Sequence, residues 1–141
     1  MDTEGFFGRL DTQWKSMGVR FNLQPLMSNS RLALEAGEFA KAHGVYDKFH
    51  TAVFKAFFTE CKDIGQREVI IDIAASLGLD TDQLTLDLDN HTYLNILEET
   101  TQSARSMMVS AAPTFVIDGL KPITGAQPLD SFRTLLGKLQ S

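Results

Sequence analysis

Residues 111–128 read Ala-Ala-Pro-Thr-Phe-Val-Ile-Asp-Gly-Leu-Lys-Pro-Ile-Thr-Gly-Ala-Gln-Pro, and this stretch decides the fold. Thr114–Ile117 is a β-branched and aromatic run opened by Pro113. Asp118-Gly119 is a turn signal, and Lys121–Thr124 is a second short strand whose Pro122 suits an edge position. Gly125-Ala126-Gln127 leads into a last helix with Pro128 near its first position. Leu129, Phe132, Leu135, Leu136 and Leu139 give that helix an apolar face. The segment therefore predicts a β-hairpin followed by a terminal helix. The small residues before Pro113 make a loop of the kind in which an X-Pro bond is cis, although a trans proline that starts a strand is far commoner. A cis bond there leaves the N–H and C=O of its neighbours facing outward, where a peptide can pair with them.

Upstream, the apolar period changes to that of helices. Phe6, Phe7, Leu10, Trp14 and Met17 predict a helix over 6–17 with Gly18 as its stop. Val19–Leu23 alternates with period two and reads as a short strand ended by Pro25. Ser28-Asn29-Ser30 offers N-caps for a helix over Arg31–His43, with Leu32, Ala36, Phe39 and Ala40 inward and Gly44 at its end. A helix over Tyr46–Lys62 places Phe49, Ala52, Val53, Ala56, Phe57 and Glu60 on one side, flanked by Phe54 and Phe58. A third, over Gln66–Leu77, turns Val69, Ile70, Ile73, Ala74 and Leu77 inward, with Gly78 beyond it. Asp80-Thr81-Asp82 caps a short segment in which Leu84, Leu86 and Leu88 alternate. A longer helix then spans Asn90–Met108, with Tyr93, Leu94, Leu97, Ala104 and Met108 as its apolar set. The expected class is α+β and mostly helical, one domain over residues 1–141.

Composition narrows the function. The chain has 141 residues, 43% hydrophobic and 22% charged, which is enough for a core without disulfides or metals. Its net charge of −5 argues against nucleic acid and against anionic membranes, both of which need a concentrated basic surface. No apolar run reaches the ~18 residues of a membrane span, and residues 1–14 lack a secretory signal pattern. A single cysteine excludes an intrachain disulfide, a four-cysteine or two-cysteine, two-histidine zinc site, and a CxxC pair within these residues. An unpaired thiol with no secretory signal points to a reducing cytoplasm.

Cys61 is the one nucleophile of note. Lys62 beside it favours a thiolate, whereas the negative end of the helix it was expected to close opposes one. A half-buried structural cysteine is the preferred reading, with Cys61 as a weak catalytic candidate. His43, His50 and His91 show no metal-ligand spacing, and Asp80, Asp82, Asp87 and Asp89 lack the glycine and distal glutamate of a calcium loop. Neither a metal nor an organic cofactor is expected, since no P-loop, G-x-G-x-x-G or nucleophile elbow occurs.

Residues 112–136, Ala-Pro-Thr-Phe-Val-Ile-Asp-Gly through the Gly-Ala-Gln-Pro strand end and the closing helix, resemble the C-terminal half of DsbA-like thioredoxin-fold proteins, above all the FrnE-type branch. The segments 29–36, 54–60, 62–65 and 73–79 are similar to the same family's inserted helical domain and fall in the expected order. The resemblance covers residues 19–140. It implies that 28–110 is an insertion-like helical region packed on a partial thioredoxin-like sheet, and that 111–141 is the ββα remnant of a thioredoxin fold. Family members begin with a strand and a CxxC-type motif at a helix N-terminus, which this sequence lacks. By the same resemblance Pro113 is the cis-proline facing that dithiol, and Ala112, Pro113 and Thr114 are substrate-binding residues.

The expectation is a truncated member of the thiol-disulfide oxidoreductase family, without dithiol activity of its own, that binds peptide or protein thiol substrates. The alternative is an oxidoreductase or a glutathione-dependent isomerase-like enzyme whose other half comes from a longer chain or a partner. Residues 114–117 would leave an open apolar strand edge, so a two-fold homodimer burying it is also expected.

Overall fold

Local chemistry starts and stops each helix. A computed structural model describes residues 27–118 and 120–137, and before them Gly5, Gly8, Arg9, Asp11, Thr12, Lys15, Gly18, Phe21 and Asn22. Helix α1 is Arg31–Ala42, α2 Tyr46–Phe58, α3 Arg67–Ser76, α4 Thr81–Asp89, α5 Leu94–Ser106 and α6 Leu129–Gly137. Strands β1, Thr114–Phe115, and β2, Ile123–Thr124, lie between α5 and α6 in sequence. Asp80 caps α4, its Oδ1 accepting from the N–H groups of Asp82 and Gln83, each at 3.0 Å. The chain leaves α1 and α3 through Gly44 (φ +72°) and Gly78 (φ +74°), a left-handed geometry that costs glycine no Cβ clash.

The fold is α+β and mostly helical, with a two-stranded antiparallel sheet in the register Thr114↔Thr124 and Phe115↔Ile123. The chain divides into two compact units, Met1–Leu97 and Glu98–Ser141. In the first, α1 packs on α2, α3 and α4. Ala36, Phe39 and Ala40 of α1 meet Phe49, Ile70, Ala74, Leu84 and Leu88, all essentially removed from water. In the second, the β1–β2 pair carries Phe115, whose ring meets Phe132 of α6 edge-on at 4.7 Å. No described residue of the second unit is buried.

Several expectations change. Helix α2 ends at Phe58, not Lys62, and Glu60 is exposed rather than inward. The backbone turns left-handed at Cys61 (φ +55°), which no helix accommodates. The alternation of Leu84, Leu86 and Leu88 belongs to a helix: Leu84 and Leu88, four apart, are buried and Leu86 is exposed. The helix expected from Asn90 starts at Leu94, because His91 is left-handed (φ +51°). Both strands are two residues long rather than four. Of the segment 19–23, Val19, Arg20 and Leu23 lie outside the described residues. Phe21 and Asn22 are not in a strand: the Asn22 N–H donates to Phe58 O at 2.8 Å and its side-chain amide to Thr59 O, at the end of α2. Phe6, Phe7, Leu10, Trp14 and Met17 also lie outside the described residues, whereas Gly8, Arg9, Asp11 and Thr12 are helical.

Candidate functional site

Ala112, Pro113 and Thr114 sit at the entry to β1. The Ala112–Pro113 peptide bond is cis. Pro113 O accepts from the Gly125 N–H at 2.8 Å, and the Thr114 hydroxyl donates to Ala111 O at 2.6 Å, so both ends of the loop are tied back onto the hairpin. Gly125 takes φ +89°, open to it without strain. Gln127 then folds over the turn, its Nε2 donating to Thr124 O at 3.2 Å. Ala112 and Pro113 are exposed and Thr114 is half-buried. Phe115 and Val116 follow with 39% and 54% of their surface in water. The result is an exposed backbone turn continued by two accessible apolar side chains, with one edge of β1 taken by β2.

Cys61 lies in the first unit, half-buried beyond the end of α2. The Lys62 ammonium beside it is 2.9 Å from Glu60, which Lys55 also reaches at 3.4 Å. The hydrogen bond from Lys62 pulls the Glu60 carboxyl below its ordinary range, and Glu60 raises Lys62 in return. The positive charge next to Cys61 is thus matched by a carboxylate. Among the described residues, no group of three or more His, Cys, Asp or Glu side chains is placed to hold a metal ion.

Two features escaped the sequence reading. Glu35, on the inward face of α1, is 1% exposed and binds Arg31 Nε at 3.3 Å and His91 Nδ1 at 3.2 Å. Glu35 and His91 are 56 positions apart, and no local pattern links them. A cavity of about 310 Å³ also opens between α1 and α2, walled by Leu34, Phe49, Val53 and Phe54, with His50 and Tyr46 at its margin. Its only sequence signal was the excess of aromatic residues on α2.

With the ββα geometry established, comparison with known proteins places the chain. The family model of the DSBA-like thioredoxin domain matches residues 3–137. The chain is also 30% identical over 129 residues to the uncharacterized protein YwbO of Bacillus subtilis (strain 168), covering 89% of this chain and 64% of YwbO. The chain belongs to the DSBA-like thioredoxin domain family, which is related to thiol-disulfide oxidoreductases. It spans less than two thirds of the relative's length. Among the described residues, no helix is long and apolar enough to cross a membrane.

Proposed function

We propose that this chain is a FrnE-type, DsbA-like protein that binds extended peptide or protein thiol substrates along Ala112-Pro113-Thr114 and performs no dithiol turnover by itself. The Ile-Thr-Gly-Ala-Gln-Pro strand end, residues 123–128, supports the branch. The observation that carries the binding reading is the exposed Ala112–Pro113 turn running into Phe115 and Val116. An extended peptide laid along β1 gains main-chain hydrogen bonds, while Phe115 and Val116 select apolar side chains. The absence of turnover rests on cysteine arithmetic. A mixed disulfide with a substrate is resolved within one molecule only by a second thiol, and Cys61 is the single cysteine of these 141 residues. Any dithiol acting on the bound substrate then comes from a longer chain or from a partner. A sequence with a single cysteine suits a reducing cytoplasm.

The test has two arms on the 141-residue chain. In an insulin-reduction assay with dithiothreitol, it adds nothing above the uncatalysed rate. In fluorescence anisotropy, a labelled, thiol-blocked unfolded peptide binds, and Val116→Glu weakens binding about tenfold, by placing a charge against the apolar contact. Steady turnover abolished by Cys61→Ser sinks the first half of the proposal. Peptide binding indifferent to Val116→Glu sinks the second.

A further inference from the structure

The outer face of α2 carries a ladder of rings. Tyr46, His50, Phe54 and Phe58 are spaced four apart, with ring centroids 5.7, 4.3 and 5.5 Å from one to the next, and Phe21 extends the row against Phe58 at 5.3 Å. Residues at i and i+4 stack one above the other on a helix, so the spacing alone produces the row. The side of α2 that enters the core is a different one, formed by Phe49, Val53 and Ala56. The ladder is therefore not a by-product of core packing. Tyr46 and Phe54 keep 41% and 51% of their surface in water, and Leu34 of α1, across the cavity from them, keeps 54%. A contiguous apolar and aromatic patch of this kind on a soluble protein marks a contact surface.

We propose that this patch is where two copies of the chain associate, with their α2 helices antiparallel about a two-fold axis near His50 and Thr51. Three observations select a second copy. The first is charge. Asp47 follows Tyr46 and Lys55 follows Phe54, so both lie on the same flank of the ladder at its opposite ends. A two-fold that reverses the helix keeps that flank facing itself and sets Asp47 of each copy against the partner's Lys55. Asp47 forms no ion pair among the described residues, and Lys55 pairs at 3.4 Å with Glu60, a carboxylate that Lys62 holds more closely at 2.9 Å. The antiparallel arrangement also opposes the two helix dipoles.

The second observation is shape. Each copy presents projecting apolar side chains, Phe54 and Leu34, beside a cavity of about 310 Å³. A surface holding both a projection and a recess next to it is self-complementary under a two-fold, as an isologous interface requires. The third is area. Leu34, Tyr46, His50 and Phe54 each expose on the order of 100 Å², so two copies bring together roughly 800 Å² of apolar surface. The flanking charged side chains raise the total to about 1,000 Å², the lower limit for a specific interface and typical of a transient one. The expected dissociation constant is on the order of micromolar. This surface belongs to the first unit and β1 to the second, so the inference uses none of the residues of the peptide-binding proposal and stands whether or not that proposal does.

Sedimentation equilibrium on the full chain, between roughly 1 and 100 µM, decides it. The wild type shows a concentration-dependent monomer–dimer equilibrium. Phe54→Glu weakens association by about 30-fold or more, the loss of a central anchor. Asp47→Lys and Lys55→Asp each weaken it about three- to tenfold, because two symmetric pairs become repulsive, and the double variant returns to within about threefold of wild type. All three positions of the swap and anchor are solvent-facing, and circular dichroism confirms the fold of each variant. Should Phe54→Glu prove unfolded, rescue by the charge-swapped double variant decides alone. A wild-type monomer at 100 µM overturns the proposal, as does a dimer in which the two charge reversals simply add. A dimer lost with Val116→Glu but kept with Phe54→Glu overturns it in favour of association through the β1 edge.

Discussion

The two units bury their apolar residues to very different extents. In Met1–Leu97, thirteen apolar side chains from α1 to α4 and the Ile64 loop are buried in one cluster. In Glu98–Ser141, α5 and α6 bury none, and Phe115, Val116, Leu129 and Leu136 are exposed. Both regions have amphipathic helices, so propensity does not explain the contrast. Four helices around Phe39 close on themselves, whereas a two-residue hairpin with one helix encloses no volume. The apolar stripe of α6 is a face without a lid among the described residues. A mostly parallel or mixed sheet in this class of fold is covered on both sides, and two strands of two residues do not make one.

The strongest way to break this contrast is to remove the same ring from each unit. Phe39 is fully buried, so Phe39→Ala costs about 3–5 kcal/mol, transfer and cavity terms together. Phe132 is half-buried and its packing centres on Phe115, so Phe132→Ala costs only about 1 kcal/mol. Urea unfolding followed by far-ultraviolet circular dichroism measures both. Equal losses would mean that the two units unfold as one cooperative body and that burial within each is the wrong measure of its stability.

What was legible in the sequence follows the same divide. Helix α1 was readable because Ala36, Phe39 and Ala40 repeat at helical spacing and Gly44 ends the run. Asp80 and Gly78 marked their termini for the same local reason. The Leu84–Leu88 run carries no decisive period of its own, because a three-leucine alternation fits both helix and strand, and only burial against α1 decides between them. Cys61 and His91 hold left-handed backbone that no residue preference announces. Of the candidate site, Ala112–Thr114 was legible because its determinants are contiguous. The cavity between α1 and α2, and the Glu35–His91 pair, were not, since each needs two elements to be packed first.

That pair sharpens the contrast from within the first unit. Glu35 is buried, yet both its partners keep about half their side-chain surface in water. Removing a partner therefore hurts the buried side. His91→Ala leaves the Glu35 carboxylate with one donor fewer and costs about 1–3 kcal/mol, more than an exposed histidine ordinarily would. Glu35→Met frees two side chains that water resolvates readily, so it changes stability by less than about 1 kcal/mol in either direction. Thermal or urea unfolding of the two variants tests the asymmetry. A Glu35→Met loss larger than that of His91→Ala would show that the ion cluster stabilises the fold outright.

The smallest effect lies in the loop between α2 and α3, and it compares two loops rather than two cores. The 111–113 loop of the second unit is held by the Gly125 and Thr114 hydrogen bonds. The loop at Asp63 is closed by a carboxylate: Gly65 N–H donates to Oδ1 at 3.0 Å and Gln66 Nε2 to Oδ2 at 2.9 Å. A Cβ on Gly65 would stand 3.1 Å from Asn29 O, so the loop also sits tightly on the start of α1. The Ser28 hydroxyl, then the Gln66 amide and the Gly65 N–H, favour the ionised form and hold the Asp63 carboxyl below its ordinary value of 3.8. A carboxyl whose value is lowered on folding adds stability at pH above the unfolded value, and loses it as pH falls through the folded one. Wild type should therefore exceed Asp63→Asn by a constant margin from about pH 7 to 5, and the two should converge below about pH 4. Urea midpoints at three pH values read this directly. A margin that persists undiminished in acid would mean that the loop is held by its packing on Asn29, and that the charge on Asp63 contributes nothing.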